Sequence, residues 1–214
     1  MKILCAALMV TLLVVSAAVA DIALPAPKKE GGHGIYDALE FRASARGDSF
    51  PSQKLSNEEL SQILWAASGR NRGGRGWTVP FAMGTKPYCK IYVTVEDGVF
   101  LYDYENHDLK EVSNKDIRAN MASQPFAKTS PCALIFVTDM DILKNTYNRD
   151  KELAYHFASV AAGAMTQNAY LAAASMNLGA RYIYSMNRDF IHGELKISGN
   201  DSALCILLIG KYAL

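Results

Sequence analysis

The sequence predicts an α+β protein, or a mixed α/β arrangement, built around one sheet. Three observations carry this: runs that alternate or persist in apolar character over strand lengths, helix patterns with marked starts, and an irregular succession of the two. The chain has 214 residues and a formal net charge of +1. That is one ordinary domain, able to bury roughly 70% of its unfolded surface. So balanced a charge gives no footing for a general polyanion-binding role, and no nucleic-acid partner is expected.

The first element is a targeting segment. Lys2 is the only charge before Asp21; an uncharged run from Ile3 to Val15 follows, and the stretch closes on Ser16-Ala17-Ala18-Val19-Ala20. A charged start, an apolar run and small residues three and one before the cut describe a cleavable signal peptide over residues 1–20. Export, to a periplasmic compartment, is therefore expected, and an uncleaved membrane anchor is the alternative. No later apolar run is long enough to cross a membrane, and residues 21–34, rich in Pro, Lys and Gly, read as a flexible leader to a domain over 35–214.

A short helix is expected over Ile35–Phe41, with Ile35, Leu39 and Tyr36 inward. Ser56-Asn57-Glu58-Glu59 is a capping box, and the helix it opens carries Leu60, Ile63, Leu64 and Ala67 on one face and stops at Gly69. Arg70–Gly76 reads as a mobile loop. Lys90–Val95 and Val99–Tyr104 form a hairpin around Asp97-Gly98. Asn114–Ser123 looks helical, and Pro131–Thr138 holds a continuous apolar run that suits a strand covered on both faces. The longest helix is expected from about Arg149 to Asn177, with small residues through its second half that allow close approach of neighbours, a second copy included. Strands at Ala180–Ser185 and Ala203–Gly210, with a short helix near Asp189–Leu195 between them, complete the chain. Cys89, Cys132 and Cys205 lie in strand-like runs with no C-x-x-C pair, which favours buried thiols over a metal knuckle or a disulfide.

The stretch with most chemistry is Arg42-Ala43-Ser44-Ala45-Arg46. In extended backbone, positions two apart share a face, so two guanidinium forks and a hydroxyl converge there and suit a phosphate; a solvated basic turn is the alternative. R-x-S-x-R is followed, in order, by Leu64-Trp65-Ala66-Ala67-Ser68-Gly69 and by Thr78-Val79-Pro80-Phe81-Ala82-Met83. Next come Tyr102-Asp103-Tyr104-Glu105-Asn106-His107, the Gly163…Gln167-Asn168…Gly179 helix and Ile209-Gly210-Lys211-Tyr212. Taken together and in this order, these pieces resemble the nitroreductase family of flavoproteins, in its branch of small exported members and azoline dehydrogenases.

The resemblance implies a nitroreductase-like fold: a central, mostly antiparallel mixed sheet flanked by helices, in an intertwined homodimer with one FMN at each of two subunit interfaces. Carried over by position, Arg42, Ser44 and Arg46 hold the phosphate and ribityl chain, and Lys211 adds charge beside it. Pro80, Phe81, Ala82 and Met83 border the flavin ring, Gln167 and Asn168 lie at or behind the cleft, and Tyr184, Ser185 and Met186 supply backbone donors near the reactive edge. The implied activity is two-electron reduction or oxidation of a small organic substrate, with chemistry supplied by the flavin and no protein nucleophile. Two departures stand out: Phe81 replaces a small hydroxyl residue, and an arginine many relatives carry after the closing strand is absent. A non-catalytic binder of flavin or another small ligand is the alternative they raise.

Other candidates are weaker. Gly73-Gly74-Arg75-Gly76 lacks the Lys-Ser/Thr of a P-loop. The four histidines show no metal-ligand spacing, and Asp139-Met140-Asp141 lacks the later acidic ligands of a calcium loop and reads as a helix N-cap region. Tyr147, Tyr155, Tyr170, Tyr182 and Tyr184 read as core and interface residues.

Overall fold

Residues 20–46, 53–197 and 199–211 are described by the computed structural model. In chain order the elements are β1 (Ile22–Ala23), α1 (Ile35–Phe41), α2 (Asn57–Ser68), β2 (Arg70–Asn71), β3 (Gly76–Trp77), β4 (Cys89–Val95), β5 (Gly98–Asp103) and β6 (Asp108–Ser113). They continue with β7 (Cys132–Thr138), α3 (Lys144–Arg149), α4 (Lys151–Ser175), β8 (Leu178–Ile183), α5 (Arg188–Leu195) and β9 (Ala203–Lys211). Seven strands form one sheet in the order β1-β6-β5-β4-β7-β9-β8, every neighbouring pair antiparallel. A parallel bridge between Ser44 and Ala180 makes the sheet mixed at its β8 edge. The α+β architecture expected from the sequence is the one observed.

The continuous apolar run of β7 has a direct cause. Cys132, Leu134 and Phe136 belong to the larger core, with α2 and α4, while Ala133, Ile135 and Val137 belong to the second core on the opposite face. All seven β7 residues are buried, so a strand with period-two side chains needs apolar residues at every position. Phe136 and Ile135 alone are each worth about 1.5–3 kcal/mol of apolar burial. α2 starts with the expected capping box: Ser56 Oγ accepts from Glu59 N at 3.2 Å, and Glu59 Oε2 accepts from Ser56 N at 2.7 Å. In α4, Asp150 caps the first turn by accepting from Leu153 N at 2.9 Å. The three described cysteines are buried free thiols, and burial pushes Cys132 up to about 12 and Cys205 up to about 11.

Several local expectations are corrected. Asn114–Ser123 is not a helix but a loop of bends and turns. The Asp116 carboxylate grips the Arg118 guanidinium with two bonds, at 2.8 and 2.7 Å, and Arg118 Nη1 donates to Ser130 O at 2.7 Å. Side chains two apart point away from each other on a helix, so this pairing and a helix exclude one another. Arg70–Gly76 is a small antiparallel ribbon, β2 against β3, rather than an open loop. The hairpin pairs Val95 with Gly98, so its turn is Glu96-Asp97, one residue earlier than expected. Gly98 has φ +147°, and a Cβ there would collide with the Ser113 carbonyl, so glycine is set by close approach. The long helix starts at Lys151, capped by Asp150, and ends at Ser175, two residues short of the expected end, leaving Gly179 inside β8. Asp139-Met140-Asp141 caps no helix, since the N-cap of α3 is Leu143.

The 21–34 segment is also more than a leader. It adds β1 to the sheet edge, and Lys28 N and O bond the Gln62 side chain at 2.8 and 2.6 Å. In α1 the range is as expected but the facing is not. Ala38 is its buried residue, while Ile35, Tyr36 and Phe41 are 56%, 84% and 56% exposed, because the helix rests on α4 through one narrow side. Residues 1–19 and 212–214 lie outside the described residues, and with them nearly all of the expected signal peptide.

Candidate functional site

After α1 the chain turns extended at Arg42 and runs alongside β8. Ala45 N donates to Ala180 O at 2.8 Å, and Arg181 Nη1 donates to Ala45 O at 2.9 Å. The extended backbone realises the two-residue period: Ala45 points into the second core, whereas Arg42, Ser44 and Arg46 share the other face. Tyr170, from α4, closes the site from behind. Its hydroxyl oxygen accepts from Tyr182 N at 2.7 Å and shares a hydrogen bond with Ser44 Oγ at 3.2 Å, and the Arg42 guanidinium lies 5.4 Å from the centre of its ring.

Arg42, Ser44, Tyr170 and the Leu178–Ala180 backbone wall a cavity of about 270 Å³. Lys211 is the register partner of Leu178, so the end of β9 brings a third cation to the same corner. Arg46 is exposed at the far end of the bridge. Among the described residues, no carboxylate forms an ion pair with Arg42, Arg46 or Lys211. Arg42 lines the small concave space, with Lys211 paired in register to its Leu178 wall and Arg46 further along the same strand-like segment, so this corner is rich in donors that suit an anion. Tyr170 is the member of this pocket that the sequence reading assigned to the core; the signal was its place one helical turn after Gln167, on the face toward β8.

The remaining anticipated residues are not brought to that cavity within one chain. Pro80 is exposed and Met83 lies in the short 3-10 turn Ala82–Gly84. Phe81 is 8% exposed and packs edge-on against Tyr88 at 5.1 Å, so its ring fills the main core rather than a cleft. Ala82 N donates to Tyr88 Oη at 2.9 Å. Asn168 ties α4 to the end of α2 and to the following loop, its Nδ2 donating to Ala66 O at 3.1 Å and Thr78 O at 3.2 Å. Gln167 is exposed on the outward side of α4, in line with Gly163 and Val160. Tyr184 and Ser185 are exposed just past β8, and Ser185 O accepts from Ser123 N at 3.4 Å.

A second, larger cavity of about 700 Å³ lies between the 25–35 strap, α2 and α4. His33 belongs to the walls of both cavities; its Nε2 contacts Asn177 Oδ1 at 3.1 Å, and its backbone bonds Ser175 through N–H to O at 3.0 Å and O to Oγ at 2.8 Å. The strap passes so close to α4 that a Cβ on Gly32, φ +72°, would run into Ser175. A buried chain of bonds fastens the strap's other end. Ser61 Oγ donates to Pro25 O at 2.6 Å, so it accepts from His107 Nε2 at 2.8 Å, which leaves His107 Nδ1 to accept from the Tyr102 hydroxyl at 2.7 Å. That tautomer is neutral; burial lowers the His107 pKa, against the opposing charge of nearby Asp108.

Fold and site together define an α+β protein with a donor-lined pocket at the edge of a mostly antiparallel sheet. Known proteins supply the rest. The sequence pattern described as the nitroreductase family matches residues 39–211. A nitroreductase homologue of Methanocaldococcus jannaschii is 29% identical over 187 residues, covering 83% of this chain and 90% of its own. The crystal structure of a nitroreductase homologue from Ralstonia eutropha superposes with a TM-score of 0.82 at 32% identity, over 94% of this chain and 93% of that one. The NADPH:FMN oxidoreductase of Vibrio harveyi, solved with NAD+, shares the fold with a TM-score of 0.57 at 17% identity, over 84% of this chain and 69% of that one. The chain belongs to the nitroreductase family, whose members are flavin-dependent oxidoreductases.

Proposed function

We propose that this chain is an exported, FMN-dependent oxidoreductase that works as a homodimer on a small organic molecule. The observation that carries the cofactor is the donor-rich corner formed by Arg42, Ser44 and Lys211. A phosphate monoester fits it by charge and by donor count, with Tyr170 orienting Ser44 and Arg42 from behind. Bound FMN would supply two-electron transfer; the residues of this chain bind it, orient it and leave one face open.

A second copy is supported by what one chain leaves open. Ile35, Tyr36 and Phe41 on α1, Val160 on α4 (61% exposed) and Tyr184 (64%) are large apolar or aromatic groups in solvent. Gln167 lies on the same outward side of α4, and a partner laid there would bring it to the ring end of the flavin. Export rests on Lys2, the apolar run and the Ala18/Ala20 ending. Outside the cytoplasm NAD(P)H is scarce, which favours a different electron donor. Absorbance spectra of the purified protein with and without added FMN, with sedimentation, test the reading. Bound flavin in a dimer is expected; colourless protein that ignores FMN sinks the cofactor assignment, and a monomer sinks the dimer.

The second reading, a flavin binder without turnover, is favoured by Phe81, whose ring is turned into the core where relatives offer a hydroxyl. Stopped-flow reoxidation of reduced, flavin-loaded protein by nitroaromatic and quinone acceptors separates the two: rates that depend on the acceptor exclude a passive binder.

A further inference from the structure

The larger cavity has the opposite chemistry from the anion pocket. Its walls are apolar where the strap, α2 and α4 meet, with Trp65, Leu171, Ala172 and Met176 among them. Its polar groups are mostly acceptors. Asn168 has both Nδ2 bonds committed to Ala66 O and Thr78 O, which fixes the amide and leaves Oδ1 as its free end toward the space it lines. The donors nearby are engaged: Trp65 Nε1 with Arg70 O, Ser175 Oγ with His33 O, Gln62 Nε2 with Lys28 O. Three carboxylates line the cavity against Lys28 and His33; Glu30 is the one not tied to the α2 cap, since Glu59 Oε2 accepts from Ser56 N and Glu58 bonds at the same helix start.

From this we infer that the larger cavity is a binding site for a small organic cation with a flat or compact apolar body, its N–H groups directed at Asn168 Oδ1 and these carboxylates. Charge complementarity selects the cation, and the Trp65 indole adds apolar wall for its body. A volume of about 700 Å³ suits a ligand of drug-like size. The two cavities share His33 alone, so binding at each can be read separately.

Calorimetric titration of the purified protein with benzamidinium, benzyl alcohol and benzenesulfonate tests it, because the three share a ring and differ in charge. Benzamidinium should bind tightest and benzenesulfonate weakest. The surface double variant Glu30→Gln/Glu58→Gln should weaken benzamidinium roughly fivefold, as expected for two solvent-exposed charge contacts, and leave benzyl alcohol unchanged. Tryptophan fluorescence of Trp77→Phe, in which Trp65 is the one remaining indole, should change on benzamidinium addition. Equal binding of the sulfonate, no binding by any of the three, or a double variant that binds benzamidinium unchanged overturns the proposal. FMN titrated in the same samples reports on the smaller cavity, so failure of one assignment is visible apart from failure of the other.

Discussion

The smaller cavity, walled by Arg42, Ser44 and Tyr170, and the larger one, walled by Trp65, Asn168 and three carboxylates, lie on either side of His33. Backbone geometry explains why they differ. The smaller site is built on extended chain at a sheet edge, where a two-residue repeat stacks cationic side chains on one face. The larger one is built between helices and a strap, where the polar groups are mostly used up in holding those parts together. What is left over there is acceptor capacity and apolar surface. One chain thus presents a donor-rich pocket and an acceptor-rich pocket that share only His33.

The sharpest way to break this contrast is at Arg42. Arg42→Ala should weaken FMN by about 1.5–3 kcal/mol, the loss of a charge-assisted bond, or about ten- to 150-fold. Benzamidinium binding should not move. Flavin titration by fluorescence quenching reads the first, calorimetry the second, and unchanged flavin affinity refutes the phosphate assignment.

A smaller effect belongs to the strap that roofs the larger cavity. Ser61→Ala removes the bond to Pro25 O and leaves His107 Nε2 without its acceptor, so the chain should lose about 1–2 kcal/mol in denaturant unfolding. Protease cleavage near residues 25–30 should rise while flavin binding persists. Cleavage no faster than in the unaltered chain would show that the bonds to Gln62 and Ser175 hold the strap alone.

The smallest expected effect is the pH response of the same latch. His107 is held neutral, and burial depresses its folded pKa below the ordinary histidine value of 6.5. The unfolded chain then binds a proton more readily, so the stability His107 contributes is complete above about pH 6.5 and is lost as pH falls through its folded pKa. Unfolding midpoints measured from neutral to mildly acid pH should fall, and His107→Gln should flatten that slope. An equal slope in both proteins assigns the loss to carboxylates instead.

Much of this was legible in the residues. The α2 capping box, the doubly covered β7 run and the extended R-x-S-x-R face depend on local rules or on periodicity, and local rules can be read from a string. The failures share a cause. Asn114–Ser123 has helical composition, yet a bidentate bond from Asp116 to Arg118 and a carbonyl at Ser130 override it. Phe81 could be placed beside a cleft by position alone, but its direction is set by Tyr88 in the core. Ile35, Tyr36 and Leu39 have an inward pattern that finds no inward surface in one chain.

By itself, the sequence determined the class of fold, its buried central strands, its free cysteines and the Arg42-x-Ser44-x-Arg46 face that heads the domain. These follow from side-chain periodicity and charge, which act over a few residues. Only the tertiary structure decided that Tyr170 backs the anion pocket, that Lys211 joins it across the register with Leu178, and that residues 25–35 enclose a second cavity of opposite character. Each of those joins residues more than thirty positions apart. Such contacts are fixed by how a whole sheet and its helices pack, and no local pattern carries that information.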